Sequence, residues 1–110
     1  SYGSFSFSFS RDKRLRVELY LDLLDQEKTK SAFDQLYAQK EQLESQVGEI
    51  EWERLDSRRA SRLAIYKEGQ ITDEKKLAEL RGWAVDNMIK FYNTMIEPTE
   101  KTIREAMKTA

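Results

Sequence analysis

The sequence predicts an α+β fold, a two-layer ββαββα arrangement in which a four-stranded antiparallel sheet carries two helices on one face. Three observations lead there. Apolar residues alternate with a period of two in two separate stretches, 5–21 and 50–65. Each stretch is followed by a segment in which apolar residues recur every three or four positions. The layout of the first half returns in the second, and a chain of 110 residues builds one core and no more. The expected organisation is a single domain over 1–110, with a ββα unit at 4–48, another at 49–97, and a short C-terminal helix at 99–109.

In the first unit, Phe5, Phe7 and Phe9 alternate with Ser4, Ser6, Ser8 and Ser10, the mark of a strand with one buried face. Arg11-Asp12-Lys13 reads as a polar turn, after which Leu15, Val17, Leu19 and Leu21 resume the alternation. Setting Phe9 opposite Leu15, Phe7 opposite Val17 and Phe5 opposite Leu19 gathers the apolar side chains on one face, because directly opposed residues point the same way. The other face then carries the serines with Arg14, Arg16, Glu18 and Tyr20. Asp25 is the expected N-cap of a helix, Phe33, Leu36, Tyr37 and Leu43 its apolar stripe, and Gly48 its end.

The second unit repeats the plan. Trp52 opposite Leu63 and Ile50 opposite Ile65 places Glu53 across from Arg62 on the polar face. The turn falls within Asp56-Ser57-Arg58-Arg59, and Gly69 ends the strand. Thr72 or Asp73 caps a helix whose buried stripe is Leu77, Leu80, Ala84, Met88 and Phe91, broadened by Trp83, Ile89, Tyr92 and Met95. Pro98 lacks an N–H and restricts Glu97, which predicts a break, with a new helix from Thr99 through Ile103 and Met107. Laid on the first hairpin, the second aligns Arg62, Leu63, Ile65 and Tyr66 with Arg16, Val17, Leu19 and Tyr20, a match too short to establish duplication.

Composition narrows the chemistry. Lys and Arg number 19 against 20 Asp and Glu, so net charge gives no drive toward nucleic acid or a membrane surface. With no Cys and no His, zinc and iron–sulfur sites, thiol catalysis and His-based triads are excluded, and no cofactor is expected. No apolar run approaches the ~20 residues of a membrane helix and no signal-peptide pattern opens the chain, so the expected compartment is the cytoplasm, without a membrane partner. A first residue of Ser rather than Met suggests a fragment or processed product, the C-terminal part of a longer protein.

Among the remaining candidates, Glu51 and Glu53 share a strand face, an arrangement that suits a hard cation, but Arg62 opposite Glu53 makes an ordinary ion pair the stronger reading. A restriction-nuclease core needs a lysine two residues beyond its strand acid, and Glu18-Leu19-Tyr20 lacks it. No catalytic or metal residue is therefore expected. The serine ladder suits either phosphate contacts or the wet side of an edge strand. More suggestive are Arg11, Lys13, Arg14 and Arg16 on the first hairpin and Arg54, Arg58, Arg59 and Arg62 on the second, with Tyr20 and Tyr66 on the face of Arg16 and Arg62. From these the candidate binding set is Arg14, Arg16, Tyr20, Arg58, Arg59, Arg62 and Tyr66. Arginine beside an aromatic ring on a sheet suits nucleic acid, and three readings stay open: a solvated or internally paired face, a protein interface, or a nucleic-acid platform.

The runs Arg16-Val17-Glu18-Leu19-Tyr20-Leu21-Asp22, Phe33-Asp34-Gln35-Leu36, Glu51-Trp52-Glu53-Arg54-Leu55-Asp56 and Arg59-Ala60-Ser61-Arg62-Leu63-Ala64-Ile65-Tyr66, with Trp83, resemble the prokaryotic domain of unknown function 4268 family. The likeness extends from Ser4 to about Pro98. It implies a domain at the C-terminal end of longer bacterial and archaeal proteins, often behind a restriction-endonuclease-like region, and it brings no catalytic residues with it. The expected function is a non-catalytic accessory domain of a nuclease-like or defence-related protein, contacting DNA or the adjoining domain through the basic hairpin face. The alternative is a homodimerisation module that joins a second subunit through the sheet face or the second helix, with no nucleic-acid contact.

Overall fold

The computed structural model describes residues 2–11, 14–68 and 74–108, the side chain of Lys75 excepted. The expected turn residues Asp12 and Lys13, the strand end at Gly69 and the helix cap at Thr72 or Asp73 lie outside the described residues.

β1 (Gly3–Phe9) and β2 (Arg14–Leu21) pair antiparallel with Phe9 opposite Leu15, Phe7 opposite Val17 and Phe5 opposite Leu19, the register the alternation predicts. β3 (Glu51–Glu53) and β4 (Ser61–Glu68) pair with Trp52 opposite Leu63 and Glu53 opposite Arg62. The four strands form one antiparallel sheet in the order β1-β2-β4-β3, which puts the second strand of each hairpin at the centre. Between β2 and β4, Arg16 stands opposite Tyr66, Glu18 opposite Ala64 and Tyr20 opposite Arg62. The short match between the two halves thus becomes a local pseudo-two-fold centred on Glu18 and Ala64, with each hairpin's arginine facing the other's tyrosine.

Three helices cover the apolar face rather than two. α1 (Gln26–Tyr37) is capped by Asp25, whose carboxylate accepts the Lys28 N–H at 2.9 Å. The single helix expected up to Gly48 is interrupted after Tyr37, and α2 (Lys40–Val47) follows. At the junction the Gln39 N–H donates to the Leu36 carbonyl at 2.9 Å, a tightened 3₁₀-type bond. The tight turn sends Leu43 and Val47 back into the core. Gly48 ends α2 at φ 88°, a conformation that favours glycine.

α3 (Glu74–Lys108) is continuous through Pro98, so the expected break and separate C-terminal helix do not occur. Its buried positions run Phe91, Met95, Thr99, Thr102 and Ala106 across the proline. That unbroken stripe outweighs the one lost backbone bond, since packing decides helix stability more than propensity does. At ~1.5 Å per residue α3 is about 52 Å long, matching the molecule's 51 Å long axis.

Val17, Leu19, Leu21, Leu63 and Ile65 from the sheet, Phe33, Leu36, Leu43 and Val47 from α1 and α2, and Phe91, Met95 and Ala106 from α3 form one buried cluster. Each large member contributes about 1.5–3 kcal/mol through removal from water. Not every apolar position joins it. Phe5 is covered, with its ring 5.9 Å from Phe91 and 5.0 Å from Tyr92 in edge-on contacts, but Phe7 and Phe9 are 53% and 39% exposed. On α3, Ile89 and Tyr92 also face outward rather than inward. The helix covers Phe5 and passes Ile103 beside Gly3, leaving Phe7 and Phe9 exposed. Among the described residues no helix is long and apolar enough to cross a membrane.

Candidate functional site

The face of the sheet away from the helices carries the alternate residues of every strand: Ser4, Ser6 and Ser8 on β1, Arg14, Arg16, Glu18 and Tyr20 on β2, Arg62, Ala64, Tyr66 and Glu68 on β4, and Glu51 and Glu53 on β3. Glu18 lies near its centre and is buried, 8% exposed. Its carboxylate accepts from Arg62 Nε at 2.6 Å, pairs with Arg16 Nε at 3.7 Å and accepts the Ser6 hydroxyl at 3.4 Å. On the far side Arg62 Nη1 donates to Glu53 at 3.2 Å, and the same carboxylate accepts the Tyr66 hydroxyl at 2.6 Å. Arg14 Nη1 donates to Glu51 at 3.0 Å while its guanidinium lies over the Tyr66 ring, 3.9 Å from the centroid. Arg62 stands near the Tyr20 ring at 5.9 Å.

Three arginines thus meet three glutamates in one connected lattice, with a tyrosine at either end. Burial draws the Arg62 guanidinium down, but Glu18 and Glu53 outweigh it and leave its pKa above the ordinary arginine value. Burial and the Glu53 carboxylate push the Tyr66 phenol above its usual 10.0. In charge terms the lattice is balanced, and Glu51 and Glu53 are committed to guanidiniums rather than poised for a cation. No group of three or more metal-ligating side chains occurs among the described residues.

Two of the three arginines between β3 and β4 are held by carboxylates at the surface. Arg54 is held by Asp34 on α1, with Nε and Nη2 donating at 2.9 and 3.0 Å, and by Asp56, so its pKa rises. Arg59 forms a two-point pair with Asp22 at 2.8 and 2.7 Å, and that pair holds the Asp22 carboxyl below its usual 3.8. Arg58 is exposed and makes no ion pair among the described residues, and its N–H closes a turn on the Leu55 carbonyl at 2.8 Å. The structure therefore brings Arg14, Arg16, Tyr20, Arg62 and Tyr66 onto one face, sets Arg59 beside the Tyr20 end, and leaves Arg58 at the loop surface.

Sequence reasoning missed the group that shapes this loop. Lys30 of α1 is buried, and its ammonium donates to the carbonyls of Arg54, Leu55 and Ala60 and to Ser61 Oγ at 2.9 Å. Leu55 adopts φ 55°, a conformation rare outside glycine, and the ammonium holds its carbonyl in place. Lys30 sits three residues before Phe33 and seven before Tyr37, so a lysine on the apolar stripe was the signal available. A Ser–Lys pair also invites a hydrolytic reading, in which a neutral lysine activates an exposed serine. Here Ser61 is fully buried and gives its own proton to the Arg54 carbonyl at 2.7 Å. Burial lowers the Lys30 pKa, yet the three carbonyls around its nitrogen can only accept and so favour the ammonium, which makes the pair a clamp.

A family model described as Domain of unknown function (DUF4268) matches residues 1–99. Comparison with curated proteins and with solved structures returns no match.

Proposed function

Starting from the fact that the chain belongs to the DUF4268 family, we propose that it is a non-catalytic docking module of a larger nuclease-like or defence-related protein, seating the open face of its sheet on an adjoining protein domain in the cytoplasm. The observation that carries this reading is the lattice of Arg14, Arg16 and Arg62 with Glu18, Glu51 and Glu53. Arginine and tyrosine are the side chains enriched in protein–protein contacts, and long side chains already fixed by ion pairs lose little freedom on binding. Nucleic acid is disfavoured by the same lattice, because its carboxylates repel phosphates and each arginine charge is already matched. Tyr20, exposed beside Arg59 and Arg62, and Arg58 on the adjacent loop supply the free contact groups at one end.

Titration calorimetry between this domain and the adjoining region of its parent protein, produced as separate chains, tests the reading. Association is expected, with Tyr20→Ala and Arg58→Ala each weakening it while leaving the melting temperature unchanged, since neither side chain is buried. Absence of association, or association indifferent to both substitutions, contradicts it.

A further inference from the structure

The two edges of the sheet are built differently. β3 is three residues long, and two of them are glutamates turned onto Arg14 and Arg62. β1 is seven residues long, pairs one-to-one with β2 without a bulge, and carries no charge and no proline. Sheets ordinarily blunt an exposed edge with charge, proline, a bulge or a covering element, and β1 has none of these beyond the passage of α3 beside Gly3 and Phe5. Apolar surface lies beside it. Phe7 and Phe9 are exposed, and Val85 and Ile89, seven and three residues before Tyr92 on the same side of α3, are 51% and 56% exposed. An open groove separates strand from helix, lined mainly by apolar side chains such as Phe7, Phe9, Leu15 and Leu80 but also by Ser8 and the charged Arg81.

We infer that this edge binds a second copy of the chain, β1 pairing antiparallel with the partner's β1 about a two-fold axis at Ser6. The alternation of Ser and Phe is self-complementary under that operation. Ser6 meets its own counterpart, Phe5 meets Phe7 and Ser4 meets Ser8, so the rings of both copies stay on the helix face and the hydroxyls on the open face. Charge favours the same partner. Two β1 strands meet along seven uncharged residues each, whereas β1 against the β3 edge of another copy would pair over only three residues and bring Glu51 and Glu53 alongside its serines. The two-fold also turns the Val85, Ile89 and Tyr92 side of α3 toward its equivalent, adding helix contact to the strand pair and extending the interface toward the ~1,200–2,000 Å² of stable complexes. A closed dimer with one eight-stranded sheet results. Its open face stays free, so this inference stands or falls separately from the docking reading.

Because the chain has no cysteine, Ser6→Cys reports the register directly. Opposed residues of an antiparallel pair place their Cβ atoms ~4.5–5.5 Å apart, close enough for a disulfide to form with a small adjustment. Sedimentation of the unmodified chain should show a concentration-dependent dimer. Under mild oxidation Ser6→Cys should give a covalent dimer about tenfold faster than Ser57→Cys on the exposed β3–β4 loop, owing to its higher effective concentration. Phe7→Lys should abolish the dimer and leave the melting temperature unchanged at concentrations where the unmodified chain is monomeric, since Phe7 lies outside the buried core. A monomer at every concentration, equal oxidation rates at positions 6 and 57, or a Phe7→Lys chain that still dimerises would overturn the inference.

Discussion

Glu18 is the residue on which the open face depends. It is buried between Arg16 and Arg62, and removing its charge takes away the carboxylate beside Arg16 and one of the two that hold Arg62 in a partly dehydrated setting. Glu18→Gln should lower unfolding free energy by about 2 kcal/mol in urea denaturation, below the ~3–5 kcal/mol of a fully buried pair because solvent reaches the rim. Tyr66 gives the face a pH signature. Its phenol is held above 10.0 by burial and by Glu53, so the folded chain keeps that proton more tightly than the unfolded chain does. The associated stability is fully present below pH 10 and is lost as pH rises through the folded value. Absorbance titration should show a tyrosine that ionises above pH 10.0, and Tyr66→Phe should remove that component along with part of the alkaline instability. The alternation alone put Arg16, Glu18, Tyr20, Arg62 and Tyr66 on one face. It did not show Glu18 within reach of Arg62, 44 residues away, because β2 and β4 are not joined by a turn and nothing local sets their register.

At the scale of elements, the hairpins were legible and the helix boundaries were not. Strict period-two patterns with one apolar face permit only one register, which is why Phe9–Leu15 and Trp52–Leu63 were readable. The interruption between α1 and α2 has no Pro or Gly within 26–47 to announce it, and α3 runs through the one proline that seemed to end it. In both places tertiary packing overrode local propensity. Pro98→Ala should therefore stabilise the domain, by up to ~3 kcal/mol, because it restores a helical bond in a helix already formed. The clamp on the β3–β4 loop makes the opposite prediction. Lys30→Met leaves the carbonyls of Arg54, Leu55 and Ala60 without their shared donor, and should cost about 2–4 kcal/mol and accelerate amide exchange across 54–60.

For the whole molecule, the sheet presents one face to the helices and keeps the other as a flat surface bearing a charge-balanced lattice, with an uncharged edge at β1. Composition foretold the balance, with cations and anions nearly equal in number, but not its location. Pairing on the open face turns two basic hairpins, for which nucleic acid was one of three open readings, into a lattice of matched arginines and glutamates. The most direct test is fluorescence anisotropy of a labelled duplex DNA titrated with the domain across a range of salt. The account predicts no binding tighter than about 10⁻⁴ M even at low salt, since matched charges release few counterions. Micromolar affinity that falls steeply as salt rises would contradict it.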